Sequence, residues 1–340
     1  MIDIKWVGTL CSKRRFHVCQ SDANNIIFYQ DMELYFNHLT LRNYTESVRM
    51  CEERGAELVT IKDSQMNEVI VRELDTGRAS PPDPQNQRYF IGLNDIKNEQ
   101  KWVWSDGTTA TYTNWYRGGW TEPTNPTNRE EDCVITLENK YARKWADVSC
   151  STKYPSICQK KLVFNVRGNC KYHISHLDKR TYYDAQSYCF RMNNTATLAM
   201  IKTEEIHEYI EEAIKTRFGS VNNMTFWVGA KKDNSDFWRY IDGEPFSTGG
   251  FEKWANSQPE SGNKLYLNTS VEESNTDLLW FSGTNDDKKG FICELPVIDP
   301  CHSTPCKNGG SCRSTIGCQV ECSCDNGYSG TYCDRGKKSV

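Results

Sequence analysis

Sixteen cysteines carry most of the chemistry this sequence offers. Three stand as Cys133-x16-Cys150-x7-Cys158, and a dense set closes the chain as Cys301-x4-Cys306-x5-Cys312 and Cys322-x-Cys324-x8-Cys333. Thiols so spaced either oxidise to disulfides or bind zinc. Zinc knuckles need paired Cys-x2-Cys or Cys/His ligands, and the chain has no Cys-x2-Cys. Disulfides formed in an oxidising compartment are therefore expected. The six histidines are scattered. His207-Glu208 lacks the second histidine of a zinc-protease helix, and His173 and His176 are expected on a strand or loop surface. With no nucleophile elbow or phosphate loop, the chain is not expected to be an enzyme.

The elements that must position this chemistry read as alternating helices and short strands. A first helix is expected through Thr45–Cys51, and a second from a Ser64 cap with Ile70, Val71 and Leu74 on one face. Tyr89–Leu93 reads as a buried strand and Lys101–Trp104 as another, with long polar loops between them and from Trp115 to Glu131. The order then repeats. Thr181 precedes a helix over Tyr182–Arg191, Ile206, Tyr209, Ile210, Ala213 and Ile214 mark an amphipathic helix, and Phe226–Gly229 and Leu278–Trp280 read as core strands. Pro296–Pro300 reads as a linker to a tail too small for a core of its own, which needs staples.

A length of 340 residues allows two or three domains, and a net charge of −4 with no basic stripe makes nucleic acid an unexpected partner. No apolar run approaches the ~20 residues that span a bilayer. Met1–Lys5 lacks the apolar core of a secretory signal, so the true N-terminus is expected to be missing from this chain. The closing Arg335–Lys338 reads as a solvated end.

Cys51 on a predicted helix, Trp102-x-Trp104-x-Asp106-Gly107 and the Cys133–Cys150–Cys158 spacing resemble the C-type lectin-like domain family. A weaker copy follows in Cys189, Trp227-Val228-Gly229, Trp238-x-Tyr240-x-Asp242-Gly243 and Gly290-Phe291-Ile292-Cys293. The closing cysteines resemble an EGF-like module. The resemblance implies an α+β fold, with two lectin-like domains of two helices, short antiparallel sheets and long loops, followed by a small disulfide-rich β module. The implied divisions are a lead-in at 1–27, lectin-like domains at 28–161 and 164–295, and the EGF-like module at 299–334. It also implies the bridges Cys51–Cys158, Cys133–Cys150, Cys189–Cys293, Cys301–Cys312, Cys306–Cys322 and Cys324–Cys333. Cys11, Cys19, Cys170 and Cys318 are left over; Cys11 and Cys19 are close enough to pair locally, and Cys170 and Cys318 are expected either to pair with each other or to be free or intermolecular. Trp102, Trp104, Trp227 and Trp238 are expected in the core rather than as sugar-stacking platforms.

The same resemblance implies a calcium ion coordinated by loop oxygens, with sugar hydroxyls completing its shell. Glu122-Pro123 stands at the family's Glu-Pro-Asn triplet, Glu131-Asp132-Cys133 at its Glu-Asp-Cys, and Trp145-Ala146-Asp147 at its Trp-Asn-Asp. Asp95 and Glu99 match an auxiliary calcium site. The implied metal set is Glu122, Glu131, Asp132, Asp147, Asp95 and Glu99, and the implied ligand contacts are Glu122, Asn125, Glu131 and Asp147. Thr124 and Ala146 depart from the pattern, each replacing an asparagine. Asn125 is the alternative for the first, since the loop to Cys133 is one residue longer than usual.

The second copy has Gln258-Pro259-Glu260 in a shortened loop, Lys264 in place of a cysteine, and Lys232 where Asp95 stands. It is expected to bind no calcium. Asn43, Asn193, Asn223 and Asn268 open N-glycosylation triplets, and Ser303 and Ser311 match O-glycosylation patterns of EGF-like modules. The expected function is extracellular, secreted recognition or adhesion. The first domain is expected to bind a ligand through calcium, with glycans or glycoproteins as the candidates, and the second to serve as a protein-binding surface or a spacer. The alternative is calcium-independent protein adhesion with degenerate lectin sites.

Overall fold

The computed structural model describes residues 26–76, 87–123, 130–219, 223–246, 250–272, 275–303 and 305–336. The chain divides into two compact units, Met1–Lys161 and Leu162–Val340.

In the first unit, β1 (Ile26–Tyr29) and β2 (Met32–Arg42) lead into α1 (Tyr44–Glu52), β3 (Glu57–Leu58) and α2 (Ser64–Asp75). Then come β4 (Tyr89–Asn94), β5 (Val103–Trp104), β6 (Cys133–Thr136), a 3-10 turn at Asn139–Tyr141, β7 (Trp145–Val148) and β8 (Tyr154–Lys161). The strands form one eight-stranded sheet in the order β1-β2-β8-β4-β6-β7, with β3 on β8 and β5 on β4. The sheet is mixed rather than antiparallel as expected, because β4 runs parallel to β8 at Phe90 and Ser156. β1 starts at Ile26 and so straddles the expected division at residue 28.

Local chemistry sets the helix starts. The Asn43 side chain accepts the Glu46 N–H at 2.8 Å, and the Glu46 carboxylate accepts the Asn43 N–H at 3.1 Å. This reciprocal cap satisfies two N–H groups that the first turn leaves open. For α2 the cap is Asp63, accepting the Met66 N–H at 2.7 Å, one residue before the expected Ser64. Its buried stripe is Met66, Ile70 and Leu74, four residues apart, while Val71 is only half-buried. Of Lys101–Trp104, only Val103 and Trp104 pair as strand.

The second unit repeats the order. β9 (Phe164–Arg167), β10 (Cys170–Arg180), α3 (Tyr182–Met192), β11 (Thr197–Leu198) and α4 (Glu204–Phe218) come first. β12 (Thr225–Lys232), β13 (Trp238–Tyr240), β14 (Lys264–Glu272), β15 (Asn275–Gly283) and β16 (Lys289–Pro296) complete its sheet. The order β15-β14-β12-β16-β10-β9 matches the first sheet strand for strand, including the parallel β12–β16 pair. A parallel bridge between Trp115 and Trp145 in the first unit recurs between Trp254 and Trp280 in the second. These pairs put the two copies in register.

Trp104 and Trp227 are buried, with Trp102 and Trp238 packed against the cores and half-buried. His173 is a correction to the surface expectation. It is buried on β10 and hydrogen-bonds through Nδ1 to the Val163 carbonyl at 3.2 Å. His207 is likewise buried, burial pushes its pKa down to about 4, and it accepts the Trp280 indole N–H at 3.3 Å. It is a neutral core group.

Cys51–Cys158 and Cys189–Cys293 each tie the first helix of a unit to its last sheet strand, and Cys133–Cys150 closes the β6–β7 region in the first unit. The C-terminal segment forms two small hairpins, β17 (Ser311–Thr315) with β18 (Gln319–Ser323), and β19 (Tyr328–Ser329) with β20 (Arg335–Gly336). They are stapled by Cys301–Cys312, Cys306–Cys322 and Cys324–Cys333. A further bridge, Cys170–Cys318, ties the β17–β18 turn to β10. Gly317 beside it has φ +77°, and a Cβ there would lie 2.7 Å from Met200 Cε. Gly317→Ala is expected to cost about 1 kcal/mol, from a left-handed backbone that alanine disfavours. Chemical denaturation checks it, and an unchanged midpoint counts against this account.

Candidate functional site

The edge of the first sheet gathers the acids. β4 ends at Asn94, so Asp95 emerges beside the start of β6, its N–H bonded to the Asp132 carbonyl at 3.1 Å. Asp95 is 3 % exposed. Its Oδ2 accepts the Gln100 N–H at 2.8 Å, while Oδ1 is buried with no hydrogen-bond partner among the described residues. Burial pushes its pKa up to about 6, and the charges of Glu99, Asp132 and Asp147 push the same way against the Gln100 bond. Four of the expected carboxylates thus share one field.

Asp147 is buried on β7 opposite Val134, directly after Ala146. Ala146 turns to the other face and joins the apolar cluster of Cys133, Ile135 and Leu137, against which Tyr116 and Tyr141 pack. Glu122 is buried, and the bond to Pro123 is cis. Its N–H bonds the Tyr116 carbonyl at 3.0 Å, and its Oε1 accepts the Trp120 indole N–H at 2.6 Å. Glu131 and Asp132 are half-buried just before Cys133, and Glu99 is exposed. Thr124 and Asn125 lie outside the described residues.

The donor set is all oxygen, which suits a hard cation such as calcium. The partnerless Asp95 oxygen, buried in a field of like charges, is the observation that fits one. Among the described residues no three acid, histidine or cysteine side chains converge to metal-holding distance.

The second copy holds lysine at these places. Lys232 takes the Asp95 position, its N–H bonding the Asn263 carbonyl at 3.0 Å as Asp95 does Asp132. Its ammonium pairs with Asp236 at 3.0 Å. Lys264, at the Cys133 position, is buried with its ammonium over the Tyr182 and Tyr183 rings. Gln258 precedes a second cis proline, but its Oε1 accepts the Ser282 N–H at 2.9 Å, the Ser282 hydroxyl at 3.1 Å and the Glu260 N–H at 3.3 Å. That amide oxygen closes the loop on itself.

Sequence reading missed Trp120 as the partner of Glu122, and Tyr141 as a ring packed on Trp120. One signal was present. Glu122 lies seven residues after Trp115, whereas Gln258 lies four after Trp254, so the first copy carries a three-residue insertion. Among the glycosylation candidates, Asn193, Asn223, Ser303 and Ser311 are exposed, Asn43 caps α1, and Asn268 is half-buried within β14.

The family model described as the lectin C-type domain matches residues 40–160 and 178–295. The secretory phospholipase A2 receptor of Mus musculus is 26% identical over 234 residues, covering 62% of this chain and 14% of that protein. The C-type mannose receptor 2 of Mus musculus is 33% identical over 119 residues, covering 35% of this chain and 7% of the receptor. The human C-type lectin domain family 4 member C is 28% identical over 133 residues, covering 38% of this chain and 55% of that protein. This chain therefore spans only part of the length of each relative. Among the described residues no helix is long and apolar enough to cross a membrane. With its two matched repeats, its matched sheets and its acid-lined loop edge, this chain belongs to the C-type lectin domain family, whose members are recognition proteins rather than enzymes.

Proposed function

We infer that the first repeat is an extracellular recognition domain that binds carbohydrate through calcium. The observation that carries the reading is Asp95, buried with a partnerless oxygen in the field of Glu99, Asp132 and Asp147. Such a group is costly to keep ionised unless a cation neutralises it. Asp95, Glu99, Asp132 and Glu131 would hold an auxiliary ion. Glu122, Glu131, Asp147 and Asn125 would hold the ion that meets sugar. When bound, calcium supplies open coordination positions to vicinal hydroxyls, while the carboxylates accept the hydroxyl protons' hydrogen bonds.

The second repeat, with ammonium groups at the equivalent places, acts in this reading without calcium and offers a protein-facing surface. The three-bridge tail is an EGF-like module that the Cys170–Cys318 bridge holds against it. The competing reading, protein recognition by both repeats, is favoured by Ala146, which puts a methyl where the family pattern has a coordinating amide.

A glycan array with and without chelator separates the two. Binding abolished by chelation is expected, and Glu122→Gln should weaken it at least about tenfold, since the change removes a charged ligand and an acceptor together. Glycan binding that survives both treatments would overturn the calcium-bridged reading.

A further inference from the structure

The insertion before Glu122 is a built loop. The Glu122 N–H to Tyr116 carbonyl bond closes it. Gly118 lies so close to the Tyr116 ring that a Cβ there would fall 1.9 Å from the phenol oxygen, and the Gly119 N–H donates to that oxygen at 3.2 Å. Trp120 packs on Tyr116 with ring centroids 4.4 Å apart and on Tyr141 at 5.1 Å, while Tyr116 and Tyr141 meet edge-on at 5.4 Å. Glu122, held by the Trp120 indole, is nearly buried, yet Trp120 itself is 42% exposed. The second copy, without the three residues, has no counterpart, and its loop is sealed by Gln258 and Ser282.

We propose that Trp120, backed by Tyr116 and Tyr141, is a ligand subsite that takes the apolar face of a second hexose ring, adjoining the one held at Glu122. The claim rests on the carbohydrate reading of the first repeat. Two features select a sugar ring as the occupant. The platform is aromatic and exposed, and its edge is hydrogen-bonded to the carboxylate assigned to the ion. Aromatic faces offer broad apolar contact to the C–H face of a pyranose while polar groups nearby fix its hydroxyls. The indole N–H also positions Glu122, so its loss affects any sugar at the ion, whereas loss of the ring affects only a ligand that reaches the second position.

Calorimetry on the full chain in saturating calcium tests this, with methyl α-mannoside and an α-linked mannobiose as probes. The disaccharide is expected to bind native protein about five- to tenfold more tightly than the monosaccharide. Trp120→Ala should bring that ratio close to one, and Trp120→Leu, which keeps apolar volume over Tyr116, should do the same. Trp120→Phe should retain most of the ratio while weakening both probes together. A ratio near one in the native protein, or a ratio that Trp120→Ala and Trp120→Leu leave unchanged, overturns the subsite alone. If neither probe binds the native protein, the carbohydrate reading falls and the subsite with it.

Discussion

Glu294→Gln is expected to stabilise the protein at pH 7 by on the order of 3 kcal/mol. Glu294 is buried on β16, where every residue from Gly290 to Pro296 is buried. Its Oε2 accepts the Met200 N–H at 3.2 Å, and Oε1 has no partner among the described residues. Burial pushes its pKa up to about 8, opposed by the Met200 bond and Lys202 and reinforced by Asp242. An acid whose pKa is higher folded than unfolded holds its proton in the native state and releases it on unfolding. Stability should therefore fall as pH rises from about 4.5 to about 8 and level off above. The first repeat contains the remedy, because Gln159 follows Cys158 as Glu294 follows Cys293, and its amide oxygen accepts the Thr60 N–H at 2.9 Å. Urea unfolding at pH 5, 7 and 9 measures the gap between the variant and the native chain. A gap that widens with pH and then holds steady is expected. Parallel curves would mean that Glu294 finds water or another partner when ionised.

Calcium at a hundred times its dissociation constant should stabilise the first repeat by about 2.7 kcal/mol, because a ligand bound only by the native state shifts unfolding by mass action. For a fragment of residues 26–161 that corresponds to a rise of several degrees in Tm. Chelation should reverse the rise, and Asp147→Ala should blunt it. A fragment of residues 162–336 should melt at one temperature with or without calcium, since Lys232 and Lys264 hold ammonium groups at the places of Asp95 and Cys133. Equal responses from the two fragments would remove the assignment of the ion to the first repeat.

Much of the frame was legible in the residues. Helix starts are local, so the helix after Thr181 was found from its neighbours, and the Asp63 cap was missed by one position because Ser64 is also a capping type. The repeat was legible because Trp102-x-Trp104-x-Asp106-Gly107 recurs as Trp238-x-Tyr240-x-Asp242-Gly243 and the outer cysteines Cys51 and Cys158 recur as Cys189 and Cys293, although the second copy lacks the inner cysteine pair. Burial on the second face of a strand was not. Alternation says which side chains share a face but not what covers the other, so His173 read as surface and Glu294 drew no notice.

The sequence by itself determined the local frame, because caps and apolar periodicity act over a few residues, and its cysteine and tryptophan motifs carried the resemblance to two lectin repeats with a stapled tail. Tertiary structure alone decided that Asp95, Glu99, Asp132 and Asp147 share one electrostatic field, and that Trp120 grips Glu122. It also joined Cys170 to Cys318 across 148 residues of chain. The reason is that fields and hydrogen bonds depend on distances of a few ångströms between elements remote in sequence, and only the packed sheet and the closed loop set those distances.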